Sequence, residues 1–191
     1  MLIRDILLLG NPTLHQRSEP LQETELAEAI AIGKDLRDTM NAFRERHGWG
    51  RAIAAPQIGV LKKIVYLQID KPWLMLNPLV ISSSDEMITL WDDCMSFPDL
   101  LVRVKRHAWI FIEYRDETWN EHRLRVDGAS SELLQHEIDH LDGILAVSRA
   151  TDGASFALQS QRHFLRGESF ANKLTAPSSP VTQDGTAPRT N

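Results

Sequence analysis

The chain has 191 residues, 42% of them hydrophobic, and a formal net charge of −5, which fits one globular domain with a sizeable core. The acidic balance gives no general electrostatic reason for nucleic-acid binding, and no apolar run approaches membrane-spanning length. Cys94 stands alone, so no internal disulfide forms.

Residues 1–10 are apolar but short, interrupted by Arg4 and Asp5. No small-residue cleavage site follows, so they read as a strand or extended segment, not a signal peptide. Gly10-Asn11-Pro12 marks a turn. Leu26, Ile30, Leu36, Met40 and Phe43 then recur at helical spacing. They predict a long N-terminal helix, with Thr24 as a cap and Gly48 as its stop. Residues 50–59 are rich in small residues and carry a proline, which by itself reads as a loop.

Strands are predicted over 62–70 and over 73–84, the second broken at Asn77-Pro78. Residues 87–91 lead into Asp92-Asp93-Cys94-Met95-Ser96. Further strands are predicted over 101–105, 108–114 and 122–126. Cys94 reads in three ways: as a small buried hydrophobe, a nucleophile or a ligand.

Residues 135–143 read Gln-His-Glu-Ile-Asp-His-Leu-Asp-Gly. His136 and His140 are four apart, so on a helix both imidazoles share one face, one turn apart. Two such rings bind one divalent metal, with Glu137 beside them in reach of a water. The opposite face collects Leu134, Ile138, Leu141 and Leu145. Ser130 or Ser131 caps the start, Glu132 suits the first turn, and Gly143 ends the helix. A catalytic metal needs a third protein ligand, and the lone Cys94 is the best candidate.

Past Gly143 the signal fades. Phe156, Leu158, Phe164 and Leu165 suit a short packed helix. The domain is expected over 1–168. A Pro/Ser/Thr-rich tail follows over 169–191, with 171–191 expected to be disordered. The whole predicts an α+β fold, with mixed or antiparallel sheets packed around the central HExxH helix.

Three stretches in order resemble the motifs of the peptide deformylases: 50–57, 92–96 and 135–143. The resemblance covers about residues 3–148. It implies that Cys94, His136 and His140 hold one metal, with water in the fourth position. Ferrous iron is the expected ion, and zinc, nickel or cobalt also fit. It implies that Glu137 is the general base, and that the Gln57 side chain and the Met95 backbone N–H stabilise the oxyanion. The implied substrate is formyl-methionine on nascent chains, in the cytoplasm and at the ribosome. No direct nucleic-acid or membrane partner is expected.

Ala52, Asp92, Asp93 and Met95 depart from the family pattern. Asp93 stands where a glycine is usual, so a positive φ there would bring strain. Asp92 is expected to pair with Arg106, and Arg103 reads as a surface residue. Ala52 and Asp93 motivate an alternative substrate, another N-formyl or N-acyl compound. A HExxH protease fits less well, because it needs neither the cysteine nor Gln57.

Overall fold

The computed structural model describes residues 2–165, 169 and 170. Helix α1 spans Leu26–His47 and helix α2 spans Gly128–Leu141. The strands are β1 Ala52–Ala54, β2 Ile64–Gln68, β3 Pro72–Ser83, β4 Met87–Asp93, β5 Leu100–His107, β6 Trp109–Arg115, β7 Glu121–Asp127 and β8 Phe156–Leu158. They form a five-stranded sheet in the order β1-β2-β3-β6-β7 and a three-stranded sheet in the order β4-β5-β8. Every strand ladder is antiparallel, as in the expected α+β fold.

Alternation in β1 shows how the larger sheet is covered. Ile53 points to one face, packing with Leu36, Met40 and Phe43 of α1. Ala52 and Ala54 point to the other, packing with Leu133, Leu134, Ile138 and Leu141 of α2. The buried residues of α1 are Ala29, Gly33, Leu36, Thr39, Met40 and Phe43, a stripe at three- and four-residue intervals. Gly33 brings α1 close to β3, since a Cβ there would lie 2.7 Å from the Leu74 side chain. Gly48 ends α1 at φ +76°, and its N–H returns to Arg44 O.

Several local expectations are corrected. A single 3-10 turn, Glu23–Glu25, precedes α1, so Thr24 is not its cap. Helix α2 begins at Gly128, two turns' worth of backbone before the chemistry, so Ser130 and Ser131 lie inside it. Ser131 Oγ instead donates to His107 O at 2.9 Å. Residues 50–59 are not all loop, because β1 and a 3-10 turn at Ala55–Ile58 form there. Strand β3 runs through Asn77, where φ is +52° and the register shifts. The Asn77 amide is held by Leu21, accepting from its N–H at 2.8 Å and donating to its O at 2.9 Å. Residues 156–164 form β8 and a 3-10 helix, with Phe156, Leu158 and Phe164 exposed rather than packed in a helix.

Residues 2–9 join no sheet, yet they tie two motif segments together. Leu7 N donates to Gln57 O and Leu9 N to Ser96 O, each at 2.8 Å. Ser169 and Phe170 return to β4: Trp91 N donates to Ser169 O, and Phe170 is buried with Trp91 and Leu101. The tail expected to be disordered, 171–191, lies outside the described residues.

Candidate metal centre

Helix α2 lies between the two sheets, and its polar face meets the end of β4. Gln135 fixes it there. Its Nε2 donates to His107 O at 2.9 Å and its Oε1 accepts from His107 N at 2.9 Å, so one side chain clamps α2 to the end of β5. Gly143, at φ +74°, turns the chain after the helix. A Cβ at Gly143 would meet His15 O at 2.6 Å, so only glycine fits this approach.

Cys94, His136 and His140 come together, all buried. His140 Nε2 lies 3.2 Å from Cys94 Sγ and 3.1 Å from His136 Nε2. His136 Nδ1 sits 2.9 Å from Asp92 Oδ2. A proton on that nitrogen leaves Nε2 as a lone pair facing His140 and Cys94. A thiol sulfur and two imidazole nitrogens converging in a buried site fit a divalent cation by their chemistry.

A chain of buried charge supports the triad. Arg106, 2% exposed at its side chain, donates to Asp92 at 3.1 Å and also contacts Asp139. Arg149 donates to Asp139 Oδ2 at 2.6 Å. The order is therefore Arg149–Asp139–Arg106–Asp92–His136. The expected Asp92–Arg106 pair is present. The roles of Gln135, Asp139 and Arg149 were not read from the sequence. The signal available was that Gln135 and Asp139 fall inside the third motif, while Arg149 carried none.

Gln57 is held by the backbone three residues before it. Its Oε1 accepts from Ala54 N at 2.9 Å, which turns Nε2 toward Ser96 Oγ at 3.2 Å and Cys94 Sγ at 3.6 Å. Met95 is buried beside the triad, at the wall of a cleft of about 410 Å³ shared with Gln57, Cys94, His136 and Glu137. Glu137 is buried, and its Oε2 has no partner among the described residues.

The electrostatics follow from burial and neighbours. Burial raises Asp92, but His136 and Arg106 outweigh it and hold the carboxyl well below the usual range. Burial lowers His136, yet Asp92 and Cys94 hold it well above its ordinary value. Burial, with His136 nearby, keeps His140 well below its own. Burial pushes Glu137 up to about 7, with His136 opposing. Burial and then Asp92 push Asp93 up to about 6.

Asp93 shows none of the expected backbone strain. Among the described non-glycine residues only Asn77 and Trp119 have positive φ, and Asp93 pairs with Leu101 in the β4–β5 ladder. Arg103 lies at the surface and contacts Asp152 at 3.2 Å.

Together the antiparallel α+β frame, the buried Cys-His-His cluster and the adjoining Glu137 and Gln57 make a candidate metal site at the wall of a cleft, the arrangement of a metal-dependent hydrolase. A polypeptide deformylase family model matches residues 3–155. A peptide deformylase of Leptospira biflexa is 36% identical over 161 residues, spanning 78% of this chain and 88% of that protein. One of Rhizobium meliloti is 35% identical over 153 residues, spanning 77% of this chain and 84% of that protein. The solved peptide deformylase of Thermus thermophilus superposes with a TM-score of 0.70 at 29% identity, over 77% of this chain and 85% of that one. The chain belongs to the polypeptide deformylase family. It is a metal-dependent hydrolase that removes the N-formyl group from nascent peptides, and these matches do not favour the alternative N-acyl substrates.

Proposed function

We propose that Cys94 Sγ, His136 Nε2 and His140 Nε2 hold one divalent cation, ferrous iron by preference, for the removal of formate from formyl-methionine. The nascent chain is met at the ribosome, in the cytoplasm. The observation that carries the assignment is the convergence of the three donor atoms, with Asp92 fixing the tautomer of His136. A divalent cation bound there acidifies water and polarises a carbonyl. Thiolate and imidazole donors also suit zinc, nickel and cobalt.

The chain's own groups do the rest. Glu137 Oε2, unpartnered among the described residues, accepts a proton from the attacking water. The water oxygen bonds to the formyl carbon, the C–N bond breaks as the same carboxyl hands its proton to the departing peptide amine, and the formic acid so formed gives its remaining proton to solvent as formate. Gln57 Nε2 and the Met95 N–H donate to the formyl oxygen as it gains negative charge. Because Ala54 N holds Gln57 Oε1, the amide presents its donor side without further ordering. A neutral amide stabilises that charge without adding a cation that would retain formate.

Metal analysis and formate release test this together. Protein purified without oxygen should carry one metal per chain and release formate from formyl-Met-Ala-Ser. Cys94→Ala should lose most of both. Unchanged metal content in Cys94→Ala removes the cysteine from the site. Equal activity half-lives in air and under argon argue for zinc over iron, because a ferrous thiolate centre is open to oxidation.

A further inference from the structure

The lip of the cleft is a short turn that cannot hold itself. Gly48, at φ +76°, and Gly50, at φ +133°, flank Trp49. Gly48, Trp49, Gly50 and Arg51 all line the cleft that Gln57 and Cys94 also line. Two glycines in three residues leave the backbone many other conformations, so a group outside the turn has to select one.

Arg44, in the last turn of α1, grips the lip at both ends. Its own O accepts from Gly48 N at 2.8 Å. Its guanidinium donates to Gly50 O from Nε at 2.8 Å and from Nη2 at 2.6 Å, and Nη2 also reaches Gln68 O at 3.4 Å. Gln68 ends β2, so this one side chain joins α1, the lip and the sheet. The Gln68 contact also marks a break in the ladder. Gln68 N donates to Arg51 O at 2.8 Å. In a regular antiparallel pair the Arg51 N–H would donate back to Gln68 O. Instead the β1–β2 register begins at Ala52, and the Arg51 N–H has no hydrogen-bond partner among the described residues. The Gly50–Arg51 peptide is planar and trans. With Gly50 O held by Arg44, the Arg51 N–H therefore points to the opposite side.

We infer that Arg44 is a positioning residue for the N-formyl peptide. It fixes the lip over residues 48–51, and with it the direction of the Arg51 N–H, in the form that receives the peptide. None of its three side-chain bonds reaches the triad or Glu137, so it acts on binding and not on the chemical step. The inference rests on the cleft being where the N-formyl peptide binds.

The test compares wild type with Arg44→Met, Arg44→Lys and Arg46→Met, all metal-loaded and below their melting temperatures. Formate release from formyl-Met-Ala-Ser gives KM and kcat, and calorimetry measures binding of the product Met-Ala-Ser. Arg44→Met should raise KM about tenfold, the scale of one lost charge-assisted hydrogen bond. Its kcat should stay near wild type, and product affinity should weaken by a similar factor. Arg44→Lys keeps the charge but lacks the planar fork. It should raise KM in the same direction, and it supplies the reading should Arg44→Met not fold. Arg46→Met removes an exposed charge from the same helical turn and should leave KM as it was. Unchanged KM and product affinity in the Arg44 variants overturn the inference, because a merely structural arginine lowers the melting temperature alone. A fall in kcat at constant KM overturns it too, as does an equal rise of KM in Arg46→Met, which would make charge at the helix end the cause. Weakened product binding in a protein that releases no formate keeps the role of Arg44 and overturns the reaction.

Discussion

The five-stranded sheet is covered on its two faces by helices of opposite character. Helix α1 presents a dry stripe to Ile53, Ile64, Tyr66 and Leu74. Helix α2 presents apolar residues to Val65, Met75, Ile110 and Ile112, but its other side faces a network of buried charge. Apolar contacts are many, weak and locally replaceable. A buried carboxylate or guanidinium is stable only while its partner stays in place. The α1 face should therefore tolerate change as a matter of stability alone. Around α2, stability and metal binding should fail together.

Arg106→Met breaks the polar side most severely. It leaves Asp92 and Asp139 buried beside a thioether, and losing one member of such a network typically costs about 3–5 kcal/mol. Thermal melting should show that loss. Metal affinity should fall as well, because Asp92 no longer has a fixed position from which to orient His136. A variant that melts early but binds metal as tightly as wild type would separate the network from the site.

Leu36→Ala probes the dry side. Leu36 is fully buried in the α1 face, and truncations of this kind cost about 2–5 kcal/mol, depending on how far the cavity collapses. Metal content and the relative turnover of formyl peptides should stay at wild-type values at temperatures where the variant is folded. A drop in metal affinity equal to that of Arg106→Met would erase the contrast between the faces.

The sequence made the local parts of this site readable and hid the distant ones. The apolar spacing of α1 and the four-residue spacing of His136 and His140 are helical periodicities, so both helices could be placed. Cys94 and Gln57 stood in motifs, which brought them to the site without any contact being known. Nothing periodic joins Arg149 or Arg106 to Asp139, and the Arg106–Asp92 pair was reached only through the family resemblance. Those pairs depend on strand register and on how α2 sits against β5, and in isolation an arginine in a strand reads as surface. The helix starts were misread for a related reason. Ser131 commits its hydroxyl to His107 O, a partner 24 residues away, rather than to its own helix end. Strain at Asp93 was expected from residue type, but the β4–β5 pairing keeps that residue extended.

The central claim is that Glu137 moves the proton while Cys94, His136 and His140 hold the metal. Glu137→Gln tests it most directly, because the substitution keeps size and hydrogen bonding but cannot accept the proton. Metal content, thermal melting and formate release should be measured on the same preparation. Metal and melting temperature should match wild type, while turnover falls about a hundredfold or more, the scale of a lost general base, and KM changes little. Near-wild-type turnover with metal bound, or loss of metal that restores activity on replenishment, would contradict the assignment.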